Sequence, residues 1–166
     1  MDPALQPLAD EASRLEESVM QSGQNQFEQA KFWRGINLLF GIPAAALAAI
    51  SGGTGLAGVA GRVPAAVLAL VAAGFSGALT TLNAARRTTQ AHATANAYLG
   101  LQADLRQFRL IDVGGMKYDE ARTKVEEMTL RWKELNTTAD IPSLYAYVRG
   151  RRNIKKGRQQ YEVDGV

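Results

Sequence analysis

A short series of polar residues recurs at helical spacing within and just after a long uncharged part of the chain. The series comprises Ser76, Thr80, Asn83 and Arg87, with Gln90 and Thr94 extending it. Intervals of three and four positions place such residues on one face of an uninterrupted helix. At membrane depth, polar side chains face protein or water and not lipid. This face therefore has two interpretations: hydrogen bonding between packed helices, or the lining of a water-filled path, which a pair of helices can enclose only as an oligomer.

Two aromatic residues, Phe40 and Phe75, lie inside the uncharged stretches. Rings of this kind can form a hydrophobic constriction that closes a pore by dewetting. They can equally pack between helices or contact lipid. The sequence leaves both roles open.

Basic residues follow the second uncharged stretch and recur near the C-terminus. They are Arg86, Arg87, Arg106 and Arg109, and then Arg149, Arg151, Arg152, Lys155, Lys156 and Arg158. Cations beside a membrane fix topology and attract anionic lipid. A guanidinium also binds phosphate through its planar fork, and Tyr98, Phe108 or Tyr147 could stack on the bases of a nucleotide. Both interpretations remain open.

Other chemistry has little support. The chain has no cysteine, and its only histidine is His92, so we expect no metal site. His92 could make a packing or a regulatory contact, but no nucleophile–base pair can be assembled around it. Gly53, Gly55 and Gly58 match the dinucleotide-binding pattern, but neither the strand nor the acidic residue that this pattern requires accompanies them. We expect neither enzyme activity nor a cofactor.

The elements that position these residues follow from the distribution of charge. No charged residue occurs between Arg34 and Arg62, or between Arg62 and Arg86, although the mean hydropathy of the whole chain is only -0.14. Uncharged apolar stretches of ~18 or more residues are long enough to cross a bilayer. The sequence therefore predicts an all-α membrane protein in which a two-helix transmembrane hairpin extends into a cytoplasmic helical bundle.

The predicted boundaries follow the same pattern. Residues 1–34 form an amphipathic cytoplasmic helix, locally weakened at Ser22-Gly23, and 35–58 form the first transmembrane helix, kinked at Pro43. Residues 59–63 form the hairpin tip and 64–85 the second transmembrane helix. Residues 86–158 form the cytoplasmic bundle, beginning with a helix that continues without a break and turns at Gly114-Gly115. Residues 159–166 are a flexible tail.

The apolar residues of the predicted bundle recur every three or four positions, as at a helix–helix seam. Leu5, Leu8, Ala12, Leu15 and Val19 form one row. Ala91, Ala95, Tyr98, Leu101 or Gln102, and Leu105 form a second, and Tyr118, Ala121, Val125, Met128, Trp132 and Leu135 form a third.

Flanking residues indicate how the hairpin is oriented. Phe32 and Trp33 precede the first span as interface anchors. Basic residues flank both open ends of the hairpin, whereas its tip carries only Arg62. By the positive-inside rule both termini are cytoplasmic.

Small residues recur every four positions in both spans, which lets helix backbones approach closely in lipid. The rows are Gly41, Ala45, Ala49 and Gly53, and then Ala69, Ala73 and Gly77.

Several segments occur in an order that resembles a known family over nearly the whole chain. They are Phe32-Trp33-Arg34, Gly41-Ile42-Pro43-Ala44, the series His92, Ala95, Tyr98 and Leu99, Arg106-Gln107-Phe108, residues 131–136 (RWKELN) and Ile141-Pro142. Together they resemble the SLATT family, the SMODS and SLOG-associating two-transmembrane effector domains of bacterial conflict systems. No single one of these segments is catalytic.

The resemblance implies a pore-forming effector of antiphage defence in the bacterial inner membrane. Its signal would be a nucleotide or short oligonucleotide made by a partner nucleotidyltransferase, and its action would cause growth arrest or cell death. We expect a homo-oligomer, a tetramer or larger, lined by Ser76, Thr80, Asn83 and Arg87. The expected ligand-binding residues are Arg87, His92, Tyr98, Arg106 and Arg109. Whether the ligand opens or closes the pore stays open.

Two alternatives differ in class. One is a membrane-anchored scaffold that conducts nothing and binds a partner through its helical bundle. The other is a soluble all-α protein with an alanine-rich core. Substitution of Thr80 or Asn83 by Leu should alter a channel and leave a scaffold almost unchanged.

Overall fold

The computed structural model describes residues 2–55 and 61–155, and every regular element in them is helical. The α-helices are α1 (Gln6–Gly55), α2 (Arg62–Leu82), α3 (Ala84–Gln107), α4 (Tyr118–Thr138) and α5 (Leu144–Lys155). A π-helical turn (Phe108–Asp112) and a 3₁₀ turn (Val113–Gly115) connect α3 to α4. The predicted all-α class is confirmed for these residues. The predicted tail, and residues 59 and 60 of the predicted hairpin tip, lie outside them.

Helix α1 is longer than any single element that the sequence predicts. It passes through Ser22-Gly23, through the predicted boundary at residue 34 and through Pro43. Proline lacks the N–H that would bond to the carbonyl of Leu39, four positions earlier. The rest of the helical ladder continues on both sides of it.

A single residue separates α2 from α3. Asn83 has a left-handed backbone (φ 49°, ψ 40°), and its N–H donates to the Leu79 carbonyl at 2.9 Å. Asparagine adopts this conformation more readily than most non-glycine residues. The predicted unbroken helix is therefore wrong: α2 ends at Leu82, and a new helix begins at Ala84.

The chain divides into two compact units. The first contains the chain up to Gln29 and from Gln90 onward, and the second contains residues 30–89. Most residues of the predicted seams lie in the core of the first unit. The core comprises Leu5, Ala9, Ala12, Leu15 and Val19 of α1, Tyr98, Leu101 and Leu105 of α3, Phe108, Val113, and Ala121, Val125 and Met128 of α4. Tyr118 is an exception, because its side chain is exposed.

Gly23 allows a close approach of two helices in the first unit. A Cβ at this position would lie 3.2 Å from the Tyr98 Cβ and 3.7 Å from the Ala95 carbonyl oxygen. Glycine costs about 1 kcal/mol relative to alanine in a helix interior. At Gly23 the absence of a side chain, which weakens the helix, allows α1 to pack tightly against α3.

The second unit packs α1 against α2 in an antiparallel pair. The Phe40 and Phe75 rings are in contact, and the Ser51 hydroxyl donates to the Ala65 carbonyl at 2.7 Å. The later residue of α1 thus contacts the earlier residue of α2, as in an antiparallel pair. Ala44, Ala65 and Ala72 are buried. Most of the predicted small-residue rows (Ala45, Ala49, Gly53, Ala69, Ala73 and Gly77) are exposed instead.

Candidate membrane surface and polar helix face

Large apolar side chains of the second unit lie open on its surface. Leu39 is 67% exposed and Leu70 is 73% exposed, and Ile42, Val63 and Val67 are also exposed. In each helix the most apolar stretch is hardly covered by the chain itself, with 6% and 11% of its residues buried. Exposing such surface to water costs about 25 cal/mol per Å². Both helices are long and apolar enough to cross a membrane, whereas the core helix of a soluble protein would be mostly buried.

The predicted polar face of α2 is also exposed. Ser76, Thr80, Asn83 and Arg87 all present accessible side chains. The Thr80 hydroxyl donates to the Ser76 carbonyl at 3.0 Å, and the Thr81 hydroxyl donates to that of Gly77 at 2.9 Å. These bonds satisfy the hydroxyl protons within α2 and leave oxygen lone pairs facing outward.

The break at Asn83 shortens that face. The spacing places Ser76, Arg87, Gln90 and Thr94 on one face only if the helix is uninterrupted, and the left-handed backbone of Asn83 interrupts it. Arg87, Gln90 and Thr94 lie beyond Asn83, so their alignment with Ser76 no longer follows from the spacing. Ser76 and Thr80 remain one turn apart on α2.

Arg87 contacts a predicted interface anchor. Its guanidinium carbon lies 4.7 Å from the Trp33 ring centroid, a cation–π distance. The Phe32 ring meets Trp33 edge-on, with centroids 5.4 Å apart. The Trp33 Nε1 is buried and has no hydrogen-bond acceptor among the described residues. The structure thus brings Arg87, a predicted pore and ligand residue, into contact with Trp33, a predicted interface anchor.

Phe40 and Phe75, the predicted gate, contact each other within one chain. Their centroids are 5.7 Å apart, with the ring planes tilted by 54°. The pair bridges α1 and α2. Each ring is only partly buried, so part of each remains accessible.

Two of the proposed stacking residues belong to the core. Tyr98 is 2% exposed, its hydroxyl donates to Asn136 Oδ1 at 2.7 Å, and burial raises its pKa. Phe108 is also fully buried. Neither ring, including that of the predicted ligand-binding residue Tyr98, can stack on a base without opening the core. Tyr147 of α5 remains exposed.

The other predicted ligand residues have different surroundings. Arg109 Nε lies 3.1 Å from Glu16 Oε2, and both side chains are largely covered, so much of the arginine charge is compensated within the chain. His92 is exposed, 3.2 Å from the Asn96 amide nitrogen and edge-on to the Phe27 ring at 5.7 Å.

Arg106 lines a surface groove on α3 that the sequence did not indicate. The groove measures about 750 Å³, and it is bordered by Leu99, Gly100, Ala103, Leu110 and Ile111. Leu99, Leu110 and Ile111 are exposed. In the sequence, the signal for this face is that these three apolar residues fall outside the spacing of the predicted seams.

The described part of the chain contains no cluster of three His, Asp or Glu side chains that could hold a metal ion. No family model, no curated protein and no solved structure matches the chain.

Proposed function

We propose that the chain is the membrane effector of a bacterial antiphage defence system and forms a homo-oligomeric ion channel in the inner membrane. The observation that carries the proposal is the apolar surface of α1 and α2, which one chain leaves almost wholly uncovered. Lipid and neighbouring copies would cover it. The resemblance to the SLATT family supplies the biological role.

An oligomer is favoured by two further features of the second unit. The small-residue rows ending at Gly53 and Gly77 are exposed, and a Cβ at either glycine would meet no other atom within 4 Å. Neighbouring helices could therefore approach closely there. Ser76 and Thr80 are exposed on α2, and polar groups at membrane depth need water or protein partners. A ring of α2 helices would provide a polar path.

Control by an anionic ligand forms the second part of the proposal. A nucleotide or short oligonucleotide, the product of a partner nucleotidyltransferase, would bind on the cytoplasmic side and shift the pore between closed and open. Arg106 beside the apolar α3 groove offers a guanidinium for phosphate and apolar side chains for a base. To move from mostly closed to mostly open, the ligand must prefer one state by ~5.5 kcal/mol.

Ion flux through purified protein in liposomes, with and without nucleotides and short oligonucleotides, tests both parts. Thr80→Leu should change conductance more than Thr81→Leu, because the helical spacing places Thr80, and not Thr81, on the polar face with Ser76. Thr81→Leu is a matched control, since each variant loses one hydroxyl bonded to the carbonyl four positions earlier. Arg106→Glu should leave the flux measured without nucleotide unchanged and should abolish the change in flux on addition of nucleotide. Lys133→Glu on α4 is its control.

The same assay decides between the channel and a membrane-anchored scaffold. The exposed α3 groove also suits a protein partner. Inserted, oligomeric protein that conducts under no condition would refute the channel and leave the scaffold.

A further inference from the structure

Helix α5 packs on the first unit through its polar and small residues. Ala146 and Gly150 are buried, and Asn153 Nδ2 donates to Glu28 Oε1 at 2.9 Å. Arg149 Nε lies 3.8 Å from the other oxygen of the buried Glu28 carboxylate. A soluble amphipathic helix would instead bury its apolar face.

The contacts just before α5 are also polar. The backbone N–H and the hydroxyl of Ser143 both donate to Gln29 Oε1, at 3.0 and 2.8 Å, and Gln26 Nε2 donates to the Asp140 carbonyl at 2.8 Å. Hydrogen bonds are directional. This set therefore fixes which side of α5 faces α1.

The opposite side of α5 carries the large apolar residues. Leu144 is 80% exposed, and Val148 and Tyr147 are also exposed. Ile141, just before the helix, is 91% exposed. Leu144 and Val148 are four positions apart and so lie on one face. Within the described residues of the first unit, nothing covers this face.

Cations continue this face toward the C-terminus. Arg151 and Arg152 are exposed one turn beyond Val148, and the sequence continues with Lys155, Lys156 and Arg158. An apolar patch followed by cations is typical of helices that lie in the interface of an anionic membrane. The cations attract lipid phosphates, and the apolar side chains enter the headgroup boundary.

The binding partners of α5 also precede the membrane segment closely in sequence. Glu28 and Gln29 come a few residues before Gly35, where the uncharged stretch of α1 begins. Only a few positions in sequence therefore separate the residues that hold α5 from the uncharged stretch. A lipid surface is the occupant that fits the charge and the amphipathic pattern of this face.

We propose that α5 is an interfacial helix whose exposed face, formed by Leu144, Tyr147, Val148, Arg151 and Arg152, binds the anionic headgroups of the membrane in which the chain is inserted. This inference rests on the membrane placement proposed above. It adds a lipid-binding surface that neither ion conduction nor nucleotide control requires.

A single labelled position tests the proposal, because the natural chain has no cysteine. Val148→Cys, carrying an environment-sensitive fluorophore, is reconstituted in vesicles of phosphatidylcholine alone or with phosphatidylglycerol, each with a lipid-attached quencher. We expect quenching in the anionic vesicles and much less in the neutral ones. Leu144→Cys repeats the measurement, and Glu127→Cys on α4 is the label control.

Removal of the cations should weaken binding selectively. Arg151→Gln together with Arg152→Gln should reduce the anionic-specific quenching, by roughly fivefold in partitioning for each cation lost. Lys117→Gln together with Lys133→Gln makes the same change in net charge away from α5 and should leave quenching unchanged.

The remaining outcomes overturn the inference in distinguishable ways. A water-exposed label in both kinds of vesicle excludes lipid binding by α5, while the proposed channel stands. A label in an apolar environment that the lipid quencher does not reach shows that protein covers the face. Protein that alkaline carbonate strips from the vesicles refutes the membrane placement itself, and with it both proposals.

Discussion

The guanidinium carbon of Arg87 lies 4.7 Å from the centre of the Trp33 ring, so that a cation near the start of α3 stacks on an aromatic residue of α1. Arg87 was predicted to line a pore and to bind a ligand, whereas Trp33 was predicted to anchor the chain at the membrane interface. Their contact makes Arg87 part of the packing of the second unit. An effect of its replacement on flux must therefore be separated from an effect on stability.

Arg87→Ala should destabilise the second unit by about 0.5–1 kcal/mol, the usual value for an exposed cation–π pair. Thermal unfolding in detergent measures this change, with Arg86→Ala as the control at the neighbouring exposed arginine. Trp33→Leu and the double variant complete a mutant cycle. Additive losses in that cycle would show that the two residues do not interact.

The left-handed backbone of Asn83 leads to a second prediction. Asn83→Gly should leave stability almost unchanged, because glycine adopts a left-handed conformation without steric cost. Asn83→Leu should destabilise the protein by about 1 kcal/mol, because leucine adopts the left-handed conformation unfavourably. Thermal unfolding compares both variants with Thr81→Leu, which lies in the adjacent regular helix. Equal stability of Asn83→Leu and Thr81→Leu would mean that the helix simply continues through this position.

The sequence predicted the helical class and most of the core because both depend on simple periodicity. Rows such as Leu5, Ala12, Leu15 and Val19 are buried in the first unit as their spacing indicated. The break at Asn83 was missed, because one left-handed residue leaves the pattern of apolar residues almost unchanged. Tyr98 fitted both the core pattern and the ligand hypothesis, and its burial decides for the core.

The packing of α5 could not be predicted from the same rules. Gln24, Asn25, Gln26, Glu28 and Gln29 are polar, so a sequence reading places them in solvent, yet all five are buried. For Gln26, Glu28 and Gln29, α5 and the segment before it supply polar partners from more than a hundred positions away in sequence. Local pattern carries no information about such partners.

Burial of Tyr98 gives a prediction for alkaline pH. Desolvation raises the folded-state pKa of its hydroxyl above the usual 10.0, so the folded protein retains this proton where the unfolded chain releases it. The resulting stabilisation is complete below pH 10.0 and is lost as pH rises through the folded-state pKa. The free energy of unfolding should therefore fall as pH rises above about 10.

Tyr98→Phe isolates this contribution. The variant should lose about 1 kcal/mol at neutral pH, because the hydrogen bond to Asn136 is removed. Its stability should also fall less steeply above pH 10.0 than that of the natural protein. Tyr118→Phe, at an exposed tyrosine of the same unit, is the control. A decline as steep in Tyr98→Phe as in the natural protein would assign the alkaline transition to other groups.

Gly150 of α5 lies close to Asn25 of α1, and this contact leads to a prediction about the packing of α5. A Cβ at this position would collide with the Asn25 side-chain oxygen and would lie 3.3 Å from the Asn25 Cα. Gly150→Ala should therefore cost about 1–3 kcal/mol through overpacking and expose α5 to limited proteolysis. Gly100→Ala is the matched control, because a Cβ there meets nothing within 4 Å and alanine favours the helix by roughly 1 kcal/mol.

A second substitution tests whether the collision itself is the cause. Asn25 Oδ1 is buried and has no hydrogen-bond partner among the described residues, so Asn25→Ala removes both the colliding atom and an unsatisfied acceptor. The double variant Asn25→Ala with Gly150→Ala should recover most of the protection from proteolysis, since only the Asn25 backbone then remains close. If Gly150→Ala were as resistant to proteolysis as Gly100→Ala, α5 could not be packed against Asn25 as the structure places it.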